Sequence, residues 1–277
     1  MSEREKLGAT RTLPNGKVTY AAGGGVALIT LTNPPANGYS YEMMRDLDDA
    51  ILWARFEEDV QAIVLAGEGE KFFCAGADVS MLDAVSPAFK NAFCLHANET
   101  LLRLEHTPKI VVAALGGHCV GGGLEVALAA DIRVARKGSG KCGLPEVTLG
   151  VLPGTGGTQR LARAVGQSRA IELMATGRTF DYGQASILGI VNRVVESKSD
   201  EAFLDEVLAY ARSFCAPSAA ALSVGLIKRA VRSGLEVPLE SGLVMERELQ
   251  ARLFTSEDAR EGIAAFLEKR KPTFKGR

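Results

Sequence analysis

The 277-residue sequence predicts a mixed α/β core followed by a region built of helices. Short apolar runs typical of buried strands alternate with segments of helical periodicity up to about residue 200, which is the pattern of α/β proteins. Helical periodicity without a convincing strand then continues in four segments, 201–215, 217–232, 238–253 and 256–269. We therefore predict an N-terminal segment, a core that carries the site and a helical C-terminal region, covering residues 1–17, 18–200 and 201–277.

The first elements of the core follow from apolar runs and the residues that end them. Residues 26–31 (Val-Ala-Leu-Ile-Thr-Leu) read as a buried strand, which the Asn-Pro-Pro of 33–35 ends. Residues 41–58 place their apolar side chains on one broad helical face. Residues 62–66 are a second apolar run, and the Gly-Glu-Gly of 67–69 closes it as a second strand.

The rest of the core repeats this alternation. We predict a helix over 87–104 and a third buried strand over 110–115 (Ile-Val-Val-Ala-Ala-Leu). A helix over 123–130 and a strand over 132–135 follow. The order of strands and helices indicates repeated strand–helix units rather than an all-β or all-α domain.

Composition excludes several classes of function. The formal net charge of -1 gives no electrostatic basis for binding nucleic acid or membrane surfaces. The five cysteines lack C-x-x-C spacing and the three histidines lack zinc-ligand spacing, so we expect reduced thiols and no metal site. Residues 1–6 carry both charges without an apolar run, and no segment is apolar over the length of a bilayer, so the expected compartment is the cytoplasm.

The run Gly121-Gly122-Gly123-Leu124-Glu125 is the most informative motif of the chain. Consecutive glycines lose much conformational entropy on folding, so some close approach to the backbone must justify them. Tight packing against another strand and exposure of N–H groups to an anion are both open interpretations. Glu125 falls in the first turn of the following helix, where it either complements the helix dipole or serves as a general base.

A second small-residue turn has a related pattern. Segment 63–79 resembles segment 110–126, because each has a β-rich run, a cysteine among small residues, and then an acid and a valine. Two similar strand–turn–helix units would place both turns side by side and let two N–H groups bind one oxygen, as in an oxyanion hole. On its own, the turn Cys74-Ala75-Gly76-Ala77-Asp78 is typical of a helix cap.

A second carboxylate follows on a restricted loop. Pro145 fixes its own backbone and limits Leu144, which gives Glu146 a defined position. Glu146 is in isolation either a surface glutamate or a site acid, and two converging carboxylates allow one acid and one base. The glycine-rich segment 154–158 lacks the Lys-Ser/Thr of a phosphate loop, and no GxGxxG follows a strand.

Together these segments resemble the crotonase superfamily, the enoyl-CoA hydratase/isomerase family in particular. The matching segments are F-C-A-G-A-D-V (73–79), G-G-G-L-E-V-A-L-A-A-D (121–131), L-P-E-V-T-L-G-V-L-P-G-T-G-G-T-Q-R-L (144–161) and F-L-E-K-R-K-P-T-F (266–274). The resemblance implies a core of ββα turns wound as a superhelix, with a C-terminal helical region that forms trimers or stacked hexamers. It implies an acyl-CoA thioester as substrate, coenzyme A being part of that substrate, and no metal or redox cofactor.

The resemblance also assigns roles to residues. The amides of Ala77 and Gly122 would form the oxyanion hole. Glu125 would deprotonate the attacking water and Glu146 would share that water and protonate the α-carbon, with the Gly154 amide helping to hold the water. The resemblance places a further set near the acyl-CoA, with the last two reaching it from a neighbouring protomer: Ala36, Ala75, Asp78, Val79, Ser80, Phe266 and Lys269. Because hydratases of the family carry both glutamates, we expect syn hydration of a trans-2-enoyl-CoA to a 3-hydroxyacyl-CoA.

Some positions depart from the family pattern. The Glu125-to-Glu146 spacing is one residue longer than is typical, absorbed in 137–141, and the segment 33–40 (N-P-P-A-N-G-Y-S) is shortened. Gly116 stands where an asparagine is usual and Ser80 where a lysine is frequent, which bears on substrate identity.

Three alternatives remain open at this point. The first alternative to the expected hydratase is an enoyl-CoA isomerase that uses Glu146. The second is a hydratase of a branched or dicarboxylic enoyl-CoA, and the third is a non-catalytic acyl-CoA- or RNA-binding relative. An aromatic content of 6% and a net charge near zero speak against the RNA-binding alternative, because single strands are bound by basic grooves with stacking aromatics.

Overall fold

The computed structural model describes residues 2–277, without the side chains of Val79, Ser80 and Leu82. Its strands are β1 (Arg11–Thr12), β2 (Val18–Gly23), β3 (Val26–Leu31), β4 (Ala62–Gly67), β5 (Phe72–Cys74), β6 (Ile110–Leu115), β7 (His118–Val120), β8 (Ile132–Arg136), β9 (Lys141–Gly143), β10 (Phe180–Asp181) and β11 (Arg193–Val195). Its α-helices are α1 (Tyr41–Phe56), α2 (Val79–Ala84), α3 (Pro87–His106), α4 (Gly122–Ala129), α5 (Gly157–Val165), α6 (Gln167–Thr176), α7 (Tyr182–Ile187), α8 (Asp200–Arg212), α9 (Ala221–Gly234), α10 (Leu239–Phe254) and α11 (Glu257–Leu267).

A large sheet in the order β1-β2-β3-β4-β6-β8-β11 forms the frame of the molecule. The β1-β2-β3 pairs are antiparallel, and the remaining neighbours are parallel. In the central strands β3, β4 and β6, alternate side chains enter different cores, as a period of two requires. In β4, Ile63 and Leu65 pack with α1 and α3, whereas Val64 packs with Phe203 and Val207 of α8. Helices therefore cover both faces, as parallel sheets demand.

A smaller sheet, in the order β10-β9-β7-β5, brings the predicted motifs together. Its strands β5, β7 and β9 are parallel, with Cys74 opposite Cys119 and Cys119 opposite Cys142. Parallel strands end at the same edge of a sheet, so the segments that follow them meet there. Those segments are the turn after Cys74, the glycine run after β7 and the loop that carries Glu146.

The long elements lie where the sequence predicts them. The strands predicted over 26–31 and 110–115 have those bounds, and the helix predicted over 41–58 ends earlier, at Phe56. The predicted mixed α/β class is confirmed. The whole smaller sheet was not predicted, because strands of two or three residues are too short to show a period.

The C-terminal half ends in helices, as predicted from residue 200 onward. The first of these, α8, packs on the large sheet, so this helix belongs to the core by its contacts. None of the helices in residues 2–277 combines the length and the apolarity needed to cross a membrane.

Candidate active site

Tyr39 fixes the turn that carries Ala77. Its N–H donates to the carbonyl of Gly76 at 2.9 Å, and its own carbonyl accepts from the N–H of Asp78 at 3.1 Å. These bonds are those of a parallel bridge between Tyr39 and Ala77, which turns the N–H of Ala77 away from Tyr39. Gly76 has φ +91°, a conformation that suits glycine.

The two glycine-bearing turns lie against each other. A Cβ atom built on Gly76 would stand 3.3 Å from the nitrogen of Gly122, which is the first residue of α4. The first N–H groups of a helix have no intrahelical acceptor. Within residues 2–277 neither the Ala77 nor the Gly122 amide donates to a protein acceptor. The structure therefore presents two unpaired amide donors on neighbouring turns.

The glycine run combines close packing with an amide that is open to a ligand. A Cβ on Gly123 would overlap the backbone of Cys74, so this glycine allows two segments to pack. A Cβ on Gly122 would overlap the ring of Tyr39, and the amide of Gly122 has no acceptor among the described residues. Gly121 has φ +56°, where glycine is favoured, and starts α4 as its N-cap.

Glu125 is buried in α4 and fully engaged in hydrogen bonds. Only 1% of the residue is exposed. Its Oε1 accepts from the N–H of Thr155 at 2.8 Å and the N–H of Gly157 at 2.7 Å, and its Oε2 contacts the Thr155 hydroxyl. Burial raises the pKa of Glu125, and these donors act against the rise because they favour the ionised carboxylate.

Glu146 has a different environment. It begins a short 3₁₀ helix after Pro145, and its Oε1 lies 3.2 Å from the position of a Cβ on Gly121. Its Oε2 is buried without a hydrogen-bond partner in the described part of the chain. Burial raises the pKa of Glu146 to about 7, and the nearby charge of Glu125 adds to the rise. The site thus pairs a carboxylate rich in donors with one that readily holds a proton.

The predicted substrate-binding residues of the first turn lie together. The N–H of Ala75 donates to the carbonyl of Ala36 at 3.0 Å, which joins the two segments. Asp78 accepts from the N–H of Met81 at 3.4 Å, at the start of α2. Val79 and Ser80 begin that helix, but their side chains lie outside the described part of the structure.

Gly154 lies next to the residue that binds Glu125. It is exposed, it precedes Thr155, and a Cβ on it would stand 3.2 Å from Sγ of Cys94. Its N–H donates to no protein acceptor among residues 2–277. This amide is therefore open to a water molecule, as its predicted role requires.

Phe266 and Lys269 lie at the end of α11 and just after it. Phe266 is 83% exposed near the end of α11, and Lys269 is exposed just after that helix. The N–H of Lys269 donates to the carbonyl of Phe266 at 3.3 Å, within the same segment. Their role stays a prediction about a neighbouring protomer.

Sequence reasoning missed Tyr39, Thr155 and Cys94. Tyr39 was seen only within the shortened segment 33–40, and Thr155 only as part of a glycine turn. A hydroxyl between glycines was the available signal for Thr155. Tyr39 and Cys94 carry no local signal, because their contacts with the site come from the fold. Within residues 2–277 no three or more His, Cys, Asp or Glu side chains are arranged to hold a metal ion.

Comparisons with known proteins show the family to which the chain is similar. The family model described as Enoyl-CoA hydratase/isomerase matches residues 21–277. A probable enoyl-CoA hydratase of Rhizobium meliloti is 41% identical over 258 residues, covering 92% of this chain and 96% of that protein. A short-chain-enoyl-CoA hydratase of Clostridium acetobutylicum is 36% identical over 251 residues, covering 90% and 93%.

Solved structures give the same result. A crystal structure of an enoyl-CoA hydratase from Geobacillus kaustophilus superposes with a TM-score of 0.90 at 44% identity, covering 94% of this chain and 97% of that one. The crotonase fold expected from the sequence is therefore confirmed. With the family model spanning nearly the whole chain, the protein belongs to the enoyl-CoA hydratase/isomerase family.

Proposed function

We propose that this enzyme is a hydro-lyase that adds water, syn, to a trans-2-enoyl-CoA and forms a 3-hydroxyacyl-CoA. The observation that carries the proposal is the contrast between Glu125 and Glu146 beside two unpaired amides. A hydratase needs a base for the water and an acid for the α-carbon, and this contrast supplies both. Family membership supports an acyl-CoA thioester as the substrate.

The two amides act on the thioester oxygen. When water attacks the β-carbon, electrons move through the conjugated system and negative charge develops on that oxygen. The N–H groups of Ala77 and Gly122 stabilise this charge, and one such donor is worth ~10²–10³ in rate. The positive end of α4 lies at Gly122 and favours the same charge.

The two glutamates move the protons. Glu125 accepts a proton from the water as the water oxygen bonds to the β-carbon, and the Gly154 amide holds that water. Protonated Glu146 gives its proton to the α-carbon, which completes the hydroxyacyl product. The step leaves Glu125 protonated and Glu146 ionised, and proton exchange with solvent restores the starting state.

The substrate range and assembly belong to the same proposal. A short enoyl chain is favoured by the similarity to a protein named as a short-chain hydratase. We place the enzyme in acyl-CoA degradation, such as β-oxidation, in the cytoplasm, acting as a trimer or hexamer. The high exposure of Phe266 supports a contact with coenzyme A bound to a neighbouring protomer, together with Lys269.

The test measures hydration of a panel of enoyl-CoA thioesters. Hydration is monitored through the loss of the ultraviolet absorbance of the conjugated thioester. Straight short chains, longer chains, and branched and dicarboxylic acyl groups make up the panel. We expect the fastest loss with a short chain such as crotonyl-CoA. No loss with any member would overturn the proposal.

A variant distinguishes the hydratase from the isomerase alternative. Glu125→Gln removes the base for water and should abolish hydration together with any other turnover of the conjugated thioester. If Glu125→Gln still moved the double bond at the wild-type rate, the protein would be an isomerase that uses Glu146.

A further inference from the structure

We infer that Tyr39 and Thr155 are positioning residues that hold Glu125 through a chain of two hydroxyl groups and couple it to both oxyanion turns. The inference rests on the proposed function, because it assigns Glu125 the role of base. It concerns residues that the motifs of the sequence did not identify.

The direction of the hydroxyl chain is set by its two ends. The backbone N–H groups of Thr155 and Gly157 both bond to Oε1 of Glu125, so a proton on Glu125 would have to sit on Oε2. When Glu125 is ionised, Oε2 accepts from the Thr155 hydroxyl. The oxygen of Thr155 then accepts from the hydroxyl of Tyr39, which lies 3.0 Å away. Both hydroxyls thus donate toward the carboxylate.

Tyr39 also contacts the parts of the site that bind the thioester oxygen. The backbone of Tyr39 makes hydrogen bonds with Gly76 and Asp78, the two neighbours of Ala77. The ring of Tyr39 occupies the space that a Cβ on Gly122 would need. The ring is packed on Phe93 with centroids 5.6 Å apart, and Tyr39 is 5% exposed. One buried residue therefore fixes the two amides and, through Thr155, the base.

The loop that carries Thr155 is itself held. Arg160 donates to the carbonyl of Thr155 at 3.0 Å and makes a two-fold ion pair with Glu105, with N–O distances of 3.0 and 2.6 Å. Four titratable or charged groups interact electrostatically with Glu125. They are Arg160, whose charge lowers the pKa of Glu125, and Glu146, Tyr39 and Cys94, whose pKa values the Glu125 charge raises. Glu146 is the proposed acid, Arg160 holds the loop of Thr155, and Tyr39 belongs to the hydroxyl chain. Burial, and in addition the charge of Glu125, raises the pKa of Cys94, so this thiol stays neutral.

The chain of two hydroxyls should affect the pH dependence of kcat/KM. Hydrogen bonds to an ionised group favour the ionised form, so removing the Thr155 hydroxyl raises the pKa of Glu125. The acidic limb of kcat/KM then moves upward by about one to two pH units in Thr155→Val, since such a bond is worth roughly 1.5–3 kcal/mol and one pH unit corresponds to about 1.4 kcal/mol. Tyr39→Phe only weakens the polarisation of the Thr155 hydroxyl, so the acidic limb of this variant moves upward by about half a pH unit.

The experiment compares the pH profiles of wild type, Thr155→Val, Tyr39→Phe and the double variant, with Thr155→Ser as the control that keeps the hydroxyl. We expect the double variant to match Thr155→Val, because Tyr39 acts through Thr155, and Thr155→Ser to match wild type. If the acidic limbs did not move, or if the shifts of the two single variants added up in the double variant, the inference would be overturned. Tyr39 and Thr155 would then contribute to the site through packing alone.

A second measurement does not depend on activity. The ionised state of Glu125 is stabilised more in wild type than in Thr155→Val, so the loss of Tm in the variant should grow as pH rises through the Glu125 pKa. In a Glu125→Gln background the loss should be independent of pH. If wild type hydrates no thioester, the proposed function fails and this melting series alone decides the inference. A loss of Tm that is independent of pH in both backgrounds would overturn it.

Discussion

At the scale of single residues, the environment of each carboxyl sets its role. Glu125 and Glu146 have the same chemistry in solution, but one meets three donors and the other has a buried oxygen without a partner in the described part of the chain. A donor-rich carboxylate suits a base, and a poorly solvated carboxyl suits an acid. The difference comes from Thr155 and Gly157, which lie about thirty residues from Glu125.

This difference predicts a bell-shaped pH profile for kcat/KM. The rate falls at low pH as Glu125 gains a proton, and at high pH as Glu146 loses its proton, near its pKa of about 7. Glu146→Gln removes the acid, so we expect kcat to fall by ~10²–10⁴ and the basic limb to disappear. A basic limb that stays near the same pH in this variant would assign it to another group.

The positions of single residues in the candidate site were only partly predictable from the sequence. Gly122, Ala77 and the two glutamates stand in motifs of small residues and acids, which mark them locally. Tyr39 carries no such mark, because its partner Thr155 is 116 residues away in the chain. Phe266 and Lys269 were identified only through family resemblance, and their predicted contact needs a second protomer.

At the scale of elements, the smaller sheet assembles the site. Strands β5, β7 and β9 are parallel, so the turn with Ala77, the start of α4 and the loop of Glu146 gather at one edge. Residues 137–140 form the turn before β9, and the family resemblance places the extra residue of the Glu125-to-Glu146 spacing in this turn, before the strand that leads to Glu146. The longer spacing therefore leaves Glu146 beside Gly121.

The start of α4 gives a test at this scale. Gly122→Ala puts a methyl group into the ring of Tyr39, which is buried and tethered, so the ring or the helix must shift. We expect a loss of ~10²–10³ in kcat from the displaced amide, with about 1–3 kcal/mol of destabilisation from overpacking. Measured activity and thermal unfolding of the variant check both effects.

Gly234→Ala is the matched control. Gly234 is also helical, and a Cβ there would meet only the Cα of Gly242, at 4.0 Å. This variant should keep wild-type activity and change stability by less than about 0.5 kcal/mol. Equal activities for the Gly122 and Gly234 variants would mean that the start of α4 does not bind the reacting thioester.

At the scale of the whole molecule, ion pairs tie the C-terminal helices to the core. Lys228 and Arg232 of α9 bind Asp131 at 2.8 and 3.0 Å, and Arg232 also binds Glu105 at 2.8 Å. Because Glu105 holds Arg160, this network continues to the loop of the site. Sequence periodicity predicted the helix but not this attachment, since charge pairs across distant segments leave no local pattern.

The network predicts unequal effects of two arginine substitutions. Arg232→Ala leaves Glu105 and Asp131, each with a side chain at most 10% exposed, short of a partner, and we expect a loss of about 3 kcal/mol in the free energy of unfolding. Arg163→Ala breaks an ion pair with Glu236 in which both side chains are more than half exposed, and should change the free energy of unfolding far less, because solvent screens such a pair. Urea unfolding measures both, and equal losses would contradict a structural role for the network.

The central claim is that Glu125 and Glu146 add water across the double bond of an enoyl thioester held by two amides. The most direct measurement is turnover of crotonyl-CoA in deuterium oxide, with the product identified by nuclear magnetic resonance. We predict a 3-hydroxyacyl-CoA with one deuterium on the α-carbon, added to the same face as the hydroxyl. A thioester whose double bond has moved without gaining a hydroxyl, or addition to opposite faces, would contradict the account.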